Sequence, residues 1–371
     1  MELKMYFDKF NSLKNEMLQI MDATGKIVKP ELMPKISDDE VLTAYKLMCL
    51  SRRQDDFQNK IQRQGRMLSF LSSTGQEATE VAYGMQIIKG KDWFSSAYRN
   101  NAAWLATGVP MRNIMLYWCG NEMGSKMPEG VNTLPVNIPI ATQYSHAAGL
   151  AFAEKYNKRD GVAITTTGDG GTSEGEFYEA INFAQLHEVP AIFIVENNQY
   201  AISTPRRKAT KAINFAVKGV AVGMRNILVD GNDFFAVYGA VQEAISFARK
   251  GEGPSLIECN TYRLGAHSSA DDPKVYRDEK LHEEALKKDP LIRLKAYLIA
   301  QKKWSEKEQE ALDAEQDKFI KGEFAWVEEN NNVSIRDIFA YTYAEMPKFL
   351  EEQYQEAEAF FAKYPSKGGH H

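Results

Sequence analysis

The chain has 371 residues, 44% of them hydrophobic and 26% charged, with a formal net charge of -5 and a pI of about 5.8. That balance suits one large α/β domain with appendages, or two ordinary domains, and argues against a basic surface built for nucleic acid. Cys49, Cys119 and Cys259 form no CxxC pair, and no apolar run is long enough for a membrane span, so the expected setting is a reducing cytoplasm.

The N-terminal run MELKMYFDKFNSLKNEML mixes acids with bases and lacks the apolar core of a signal peptide. Residues 1–36 read as an extended arm, with Gly25, Pro30 and Pro34 between short apolar groups. SDDE at 37–40 supplies an N-cap and an acidic first turn. The helix it opens runs through VLTAYKLMCLSRRQDDFQNKIQRQ to Gly65.

Within the span 37–288, strand and helix patterns alternate. GVAITTTGDGG is a β-rich run ending in glycines, SEGEFYEAINFAQLHEV an amphipathic helix, PAIFIVENN a buried strand and RNILVDG a third. DFFAVYGAVQEAISFARKG is a helix closed by Gly251, and PSLIECNTYR is a fourth strand. This alternation predicts an α/β fold with a doubly wound, mostly parallel sheet, whose ligands bind outside the carboxyl ends of the strands. From 289 to 371 the chain is charged and helical without strand signals; the terminal GGHH is set aside as a possible tag remnant.

The feature that carries chemistry is Gly168-Asp169-Gly170, followed after 26 residues by Asn197-Asn198. Alone, the first is a common tight turn and the second a common loop start. Here each follows a buried strand, with one helix between them, so Asp169 and Asn198 should end neighbouring parallel strands on one sheet edge. Gly170 and Gly171 would let a diphosphate approach the backbone, beside the N–H groups of a helix starting near Ser173. The Asp169 carboxylate, the Asn198 amide oxygen and the Tyr200 carbonyl would then supply the oxygen ligands that magnesium prefers.

GDGGTSEGEFYEAINFAQLHEVPAIFIVENNQYAIST resembles the thiamine diphosphate motif of the 2-oxo acid dehydrogenase alpha subunits. GRMLSFLSSTGQEATEVAYG, WFSSAYRNNAAWLATG, MPEGVNTLPVNIPIATQYSHAAG, VDGNDFFAVY and TYRLGAHSSADDPKVYR follow in family order. EMPKFLEEQY is similar to the tail of Gram-positive members that act on pyruvate.

The resemblance implies that Tyr98 and Arg99 contact the cofactor diphosphate, a guanidinium fork being suited to phosphate oxygens. It implies that Ile138, Pro139 and Ile140 meet the aminopyrimidine ring. His267 matches a histidine on a loop over the cofactor that assists the reaction and acyl transfer to a lipoyl group, and imidazole is suited to that proton chemistry. Tyr276 and Arg277 read as ordering or cofactor-side residues on the same loop, and Ser268 aligns with a regulatory phosphorylation position of mitochondrial relatives. His146 and His187 read as packing or hydrogen-bonding residues, and Glu174 as a first-turn helix acid. Asn121 and Met123 stand where bacterial relatives carry channel histidines.

The expected cofactors are thiamine diphosphate and Mg2+. The expected partner is a separate beta subunit, supplying the pyrimidine-side glutamate in an α2β2 tetramer that docks onto a lipoyl acyltransferase core. The expected activity is oxidative decarboxylation of pyruvate, with branched-chain 2-oxo acids or acetoin as alternative substrates. A non-catalytic interaction protein of the same fold is the reading from another class.

Overall fold

The computed structural model describes residues 6–364; the terminal GGHH and the first five residues lie outside that range. In chain order the elements that position the site are β1 (Met17–Leu18), α1 (Asp38–Arg63), α2 (Glu77–Gly84), β2 (Trp93–Ser95), α3 (Thr142–Tyr156), β3 (Ala163–Gly168), α4 (Gly175–Leu186), β4 (Ala191–Asn197), β5 (Arg225–Asp230), α5 (Phe234–Arg249) and β6 (Ser255–Asn260). The helices α6 (Pro290–Ala300), α7 (Glu306–Asn330) and α8 (Lys348–Lys363) follow.

The sheet has six strands in the order β1-β5-β6-β4-β3-β2, and every neighbouring pair is parallel. Strand side chains alternate between faces. Ile164, Ile192, Ile194 and Ile257 pack with α1, α2 and α5, while Ala163, Phe193, Val195 and Leu256 pack with α3 and α4. Both faces are therefore covered, as an all-parallel sheet requires, and this explains why the central strands read as continuous apolar runs. The four strands anticipated from the sequence all form.

Helix α1 begins where its cap predicts. Ser37 Oγ accepts from Glu40 N at 3.3 Å, and Glu40 Oε2 accepts from Ser37 N at 2.8 Å, a reciprocal capping box.

The arm is built into the domain. Met17 and Leu18 pair with Leu228 and Val229 of β5, and Leu18, Ile20 and Met21 are fully buried. Two residues are too short a strand to show a period of two, so this edge was not legible in the sequence. At the other end, Leu294 and Leu298 of α6 and Leu312, Ile320, Phe324 and Val327 of α7 join the core cluster of α1 and α2. Helix α8 buries no residue. Among the described residues, no helix is long and apolar enough to cross a membrane.

Candidate functional site

Strands β3 and β4 run in register from Ala163↔Ala191 to Gly168↔Glu196, so Asp169 and Asn198 leave the same edge of the sheet. A 3₁₀ turn at Asp169–Ser173 joins β3 to α4. Together with the loop after β6, these ends enclose a cavity of about 220 Å3 lined by Tyr98, Arg99, Ile140, Asp169, Gly170, Gly171, Asn198, Tyr200, Arg263 and His267, among others. Ile138 is 47% exposed and lies outside this lining. Asn121 and Met123 also lie outside it; Asn121 Nδ2 donates to Asn331 Oδ1 at 3.1 Å, and Met123 is exposed.

The glycines let the turn after β3 pack closely against the cavity walls. A Cβ on Gly170 would come within 2.7 Å of the Ala201 Cβ, and one on Gly171 would collide with Thr167 Oγ1. Backbone strain gathers at the rim, where Ala141, Gln199 and Ile202 have φ of 70°, 75° and 54°. Such left-handed non-glycine residues cost of order 1–3 kcal/mol each and collect at ligand sites.

Asp169 is 1% exposed, and its Oδ2 has no hydrogen-bond partner. Burial pushes its carboxyl up to about 7, against the pull of the Arg263 and Arg206 charges. Asn198 Nδ2 donates to Gln76 Oε1 at 2.7 Å, while Asn198 Oδ1 receives only a long 3.4 Å contact from Tyr200 N. The Tyr200 carbonyl accepts from Arg263 Nη1 at 3.0 Å, so one of its two lone pairs is already engaged.

The cationic side is made by Arg99 and Arg263, 5% and 1% exposed. Arg99 donates to the carbonyls of Ser72 at 2.9 Å and His267 at 2.7 Å. Arg263 donates to Tyr200 O, to Ile202 O at 2.7 Å and to Tyr276 Oη at 2.9 Å. Among the described residues, neither guanidinium makes a salt bridge to a carboxylate. Buried cations without an anionic partner are costly, and an anionic ligand in the cavity would offset that cost.

His267 joins both arginines. Its Nδ1 lies 3.1 Å from Arg99 Nη2 and 3.4 Å from Arg263 Nη1, so Nδ1 acts as the acceptor and a neutral ring carries its proton on Nε2. Burial and these two charges lower its pKa to about 4. Its loop is ordered by Asp271, whose Oδ2 accepts from His267 N at 2.8 Å and from Tyr276 Oη at 2.6 Å. Arg277 donates to the carbonyls of Leu264, Arg263 and Gly265. Tyr276 and Arg277 thus act on the loop itself.

His146 and His187 lie apart from this cavity. His146 is exposed on α3, and the ring of His187, at the end of α4, packs against Phe152 and Phe183. Glu174 occupies the N-cap position of α4 without a side-chain capping bond and lines the cavity.

Sequence reading missed Arg263, Gln76 and Glu196. Their signals were present: Arg263 stands in TYRLGAH, Gln76 in GQEA, and Glu196 directly before the asparagine pair. A larger cavity of about 520 Å3 also has Tyr200 in its wall, but the buried cation there, Arg293, is already paired with Asp230 and Asp233. The smaller cavity is the one whose buried cations, Arg99 and Arg263, are without salt bridges among the described residues, which favours it as the site.

A parallel α/β sheet whose strand ends carry two buried arginines without salt bridges, an unpartnered carboxylate oxygen and closely packed glycines offers a binding cavity suited to an anionic ligand. The comparisons with known proteins narrow this reading. The family described as Dehydrogenase E1 component matches residues 45–336. Pyruvate dehydrogenase E1 component subunit alpha of Acholeplasma laidlawii is 45% identical over 341 residues, 91% of this chain and 99% of its own length. The proteins of that name from Mycoplasma genitalium and Staphylococcus aureus are 39% and 41% identical, over 95% and 92% of this chain and 98% and 92% of their own lengths. The chain belongs to the dehydrogenase E1 component family, the thiamine-diphosphate-dependent 2-oxo acid dehydrogenases.

Proposed function

We propose that this chain is the diphosphate-binding alpha subunit of a pyruvate dehydrogenase component, holding thiamine diphosphate through Mg2+ and completing its active site with a separate beta subunit. The observation that carries the reading is the charge pattern of one cavity: Arg99 and Arg263 lack carboxylate partners, and Asp169 Oδ2 lacks any partner. A magnesium diphosphate supplies both missing complements, an anion for the guanidinium groups and a cation for the carboxylate. Among the described residues, no three or more His, Cys, Asp or Glu side chains converge as a metal cluster. The oxygen donors suit magnesium bound partly through phosphate: Asp169 Oδ2, Asn198 Oδ1 and the second lone pair of Tyr200 O.

When bound, thiamine diphosphate supplies the electron sink for loss of carbon dioxide from a 2-oxo acid. The residues of this chain bind and orient. Arg99 and Arg263 hold diphosphate charge, Gly170 and Gly171 admit it to the backbone, and Ile140 gives an apolar wall. His267, with its proton on Nε2, is suited to donate to an anion developing in the reaction. Tyr98, whose ring meets that of His267 edge-on at 6.4 Å, supports the same corner. Ile138 is exposed outside the cavity, which suits a role on the pyrimidine side where the partner closes the site.

Three relatives that cover nearly the whole chain bear the pyruvate name, which favours pyruvate over branched-chain 2-oxo acids or acetoin. The relatives are named as subunits, which favours an α2β2 assembly serving a lipoyl acyltransferase. The test is dye reduction by the full chain co-purified with its partner subunit, with thiamine diphosphate and Mg2+. Pyruvate is expected to be the preferred substrate. Preference for a branched-chain acid would move the assignment to that sister activity, and a cofactor-loaded complex that turns over neither 2-oxo acids nor acetoin would end the catalytic reading.

A further inference from the structure

We propose that Gln76 is a positioning residue that decides which end of the Asn198 amide faces the metal, with its own orientation set by the buried carboxylates of Glu80 and Glu196. The inference rests on the magnesium reading above and deepens it.

An asparagine amide has nearly the same shape either way round, but only its oxygen can ligate a cation. Cavity shape therefore cannot select the productive orientation; hydrogen-bond polarity can. Gln76 is 1% exposed at the start of α2. Its Nε2 lies 3.1 Å from Glu196 Oε2 and 3.4 Å from Glu80 Oε1. Glu196 already accepts from Tyr83 Oη and from a fixed Asn100 amide on both oxygens, and Glu80 from backbone N–H groups, so this polar cluster presents acceptors; the amide nitrogen of Gln76 is held toward it, and Oε1 points to Asn198 Nδ2 at 2.7 Å. Asn198 must then present Oδ1 away from Gln76. The reverse orientation would set two acceptor oxygens against each other and turn an N–H group toward the cation.

The carboxylates are themselves anchored. Glu196 accepts from Tyr83 Oη at 3.0 Å and from Asn100 Nδ2 at 3.1 Å to each oxygen. The Asn100 amide is fixed in turn, because its Oδ1 accepts from Ala97 N at 2.8 Å and Thr166 Oγ1 at 2.7 Å. Glu80 Oε2 accepts from Ser73 Oγ at 3.1 Å and from the backbone N–H groups of Ala102 at 3.0 Å and Ala103 at 3.4 Å. A chain of defined polarity thus runs from backbone donors on α2's neighbouring segment, through two carboxylates and Gln76, to one metal-facing oxygen. Groups that orient a metal ligand from behind typically contribute about 10–100-fold in metal affinity.

The experiment uses the full chain assembled with its partner subunit and measures the free Mg2+ that gives half-maximal thiamine diphosphate binding by calorimetry, without turnover. Gln76→Leu is expected to raise that concentration about 10–100-fold. Asn198→Asp offers an oxygen at either end of the side chain, so adding Gln76→Leu to it should leave the Mg2+ requirement unchanged or lower it. A merely structural role for Gln76 would raise the requirement in both backgrounds, and that result overturns the proposal. Should Gln76→Leu not fold, Glu196→Gln serves instead. Its amide can donate as well as accept, so Gln76 is free to reverse, and the Mg2+ requirement should rise; no change would overturn the proposal. Asp169→Ala separates the two levels of inference. If it abolishes Mg2+ dependence while Gln76→Leu is silent, only the role of Gln76 falls. If Mg2+ dependence survives Asp169→Ala, the assignment of Asp169 as a ligand falls; if the unaltered assembly binds thiamine diphosphate equally well without Mg2+, the magnesium reading falls and this inference falls with it.

Discussion

Arg293 and Arg263 are both 1% exposed, yet their surroundings differ in one respect that separates structure from function. Arg293, on α6, donates to Asp230 Oδ2 at 2.9 Å and to the carbonyl of Met21, and lies 3.6 Å from Asp233 Oδ2. Asp233 also accepts from Ile20 N at 2.6 Å and Met21 N at 2.7 Å, and caps α5 through Phe235 N and Ala236 N. That junction ties the arm, β5, α5 and α6 together with its charges met inside the chain. Arg263 and its neighbour Arg99 donate to carbonyls and a hydroxyl, and Asp169, in the wall of the same cavity, keeps one oxygen unpartnered. A closed cluster stabilises the fold by itself, whereas an open one carries a desolvation cost that a ligand of matching charge can offset.

Three substitutions sharpen this contrast. Asp169→Ala should have the largest effect, abolishing metal-dependent binding of thiamine diphosphate by the assembled enzyme. Its cofactor-free thermal midpoint should hold or rise, because an uncompensated buried carboxylate has been removed. A large fall in that midpoint would show Asp169 to be a structural group.

Arg99→Met and Arg293→Met form the second test. On the proposed role of Arg99, the first would remove charge-assisted hydrogen bonds to diphosphate of about 1.5–3 kcal/mol and should weaken thiamine diphosphate binding roughly 10–100-fold. The second strands two aspartates and should cost about 3–5 kcal/mol of unfolding free energy, with cofactor affinity retained. Denaturant unfolding and calorimetry on the same pair would break the comparison if both variants lost affinity equally.

The smallest effect concerns pH. Asp55 of α1 sits beneath the site, accepting from Ser72 Oγ at 2.9 Å, Thr74 Oγ1 at 3.0 Å and Asn101 Nδ2 at 3.4 Å. Burial, reinforced by the Glu77 charge, pushes its carboxyl up to about 8. A folded-state pKa above the unfolded value of about 3.9 means the folded chain binds this proton more tightly. Its contribution to stability is then fully present below about pH 4 and is lost as pH rises through about 8. Asp55→Asn should flatten the pH dependence of the cofactor-free thermal midpoint across that window; an unchanged slope would assign the titration to another group.

The comparison also explains what could be read in advance. The four central strands and the capped helix α1 were legible because continuous apolar runs, helical periodicity and SDDE act over a few residues. Strands β1 and β2, of 2 and 3 residues, carry no such pattern and exist only through pairing with β5 and β3. Asp169 and Asn198 were found together because one strand–helix–strand unit holds both. Ile138 and Ile140, adjacent in the motif, fall on different sides of the cavity wall, which the run IPI alone does not distinguish.

By itself, the sequence determined the parallel α/β architecture, the glycine-lined turn after β3 and the family, since each depends on local pattern or on motif order along the chain. Tertiary structure decided which buried charges are matched and which amide orientations are enforced. Asn198 meets Gln76 across 122 positions and Gln76 meets Glu196 across 120. Arg99 reaches His267 across 168. A charge is complete or incomplete only in relation to the groups that folding brings beside it, and those partners lie too far along the chain for any local pattern to name them.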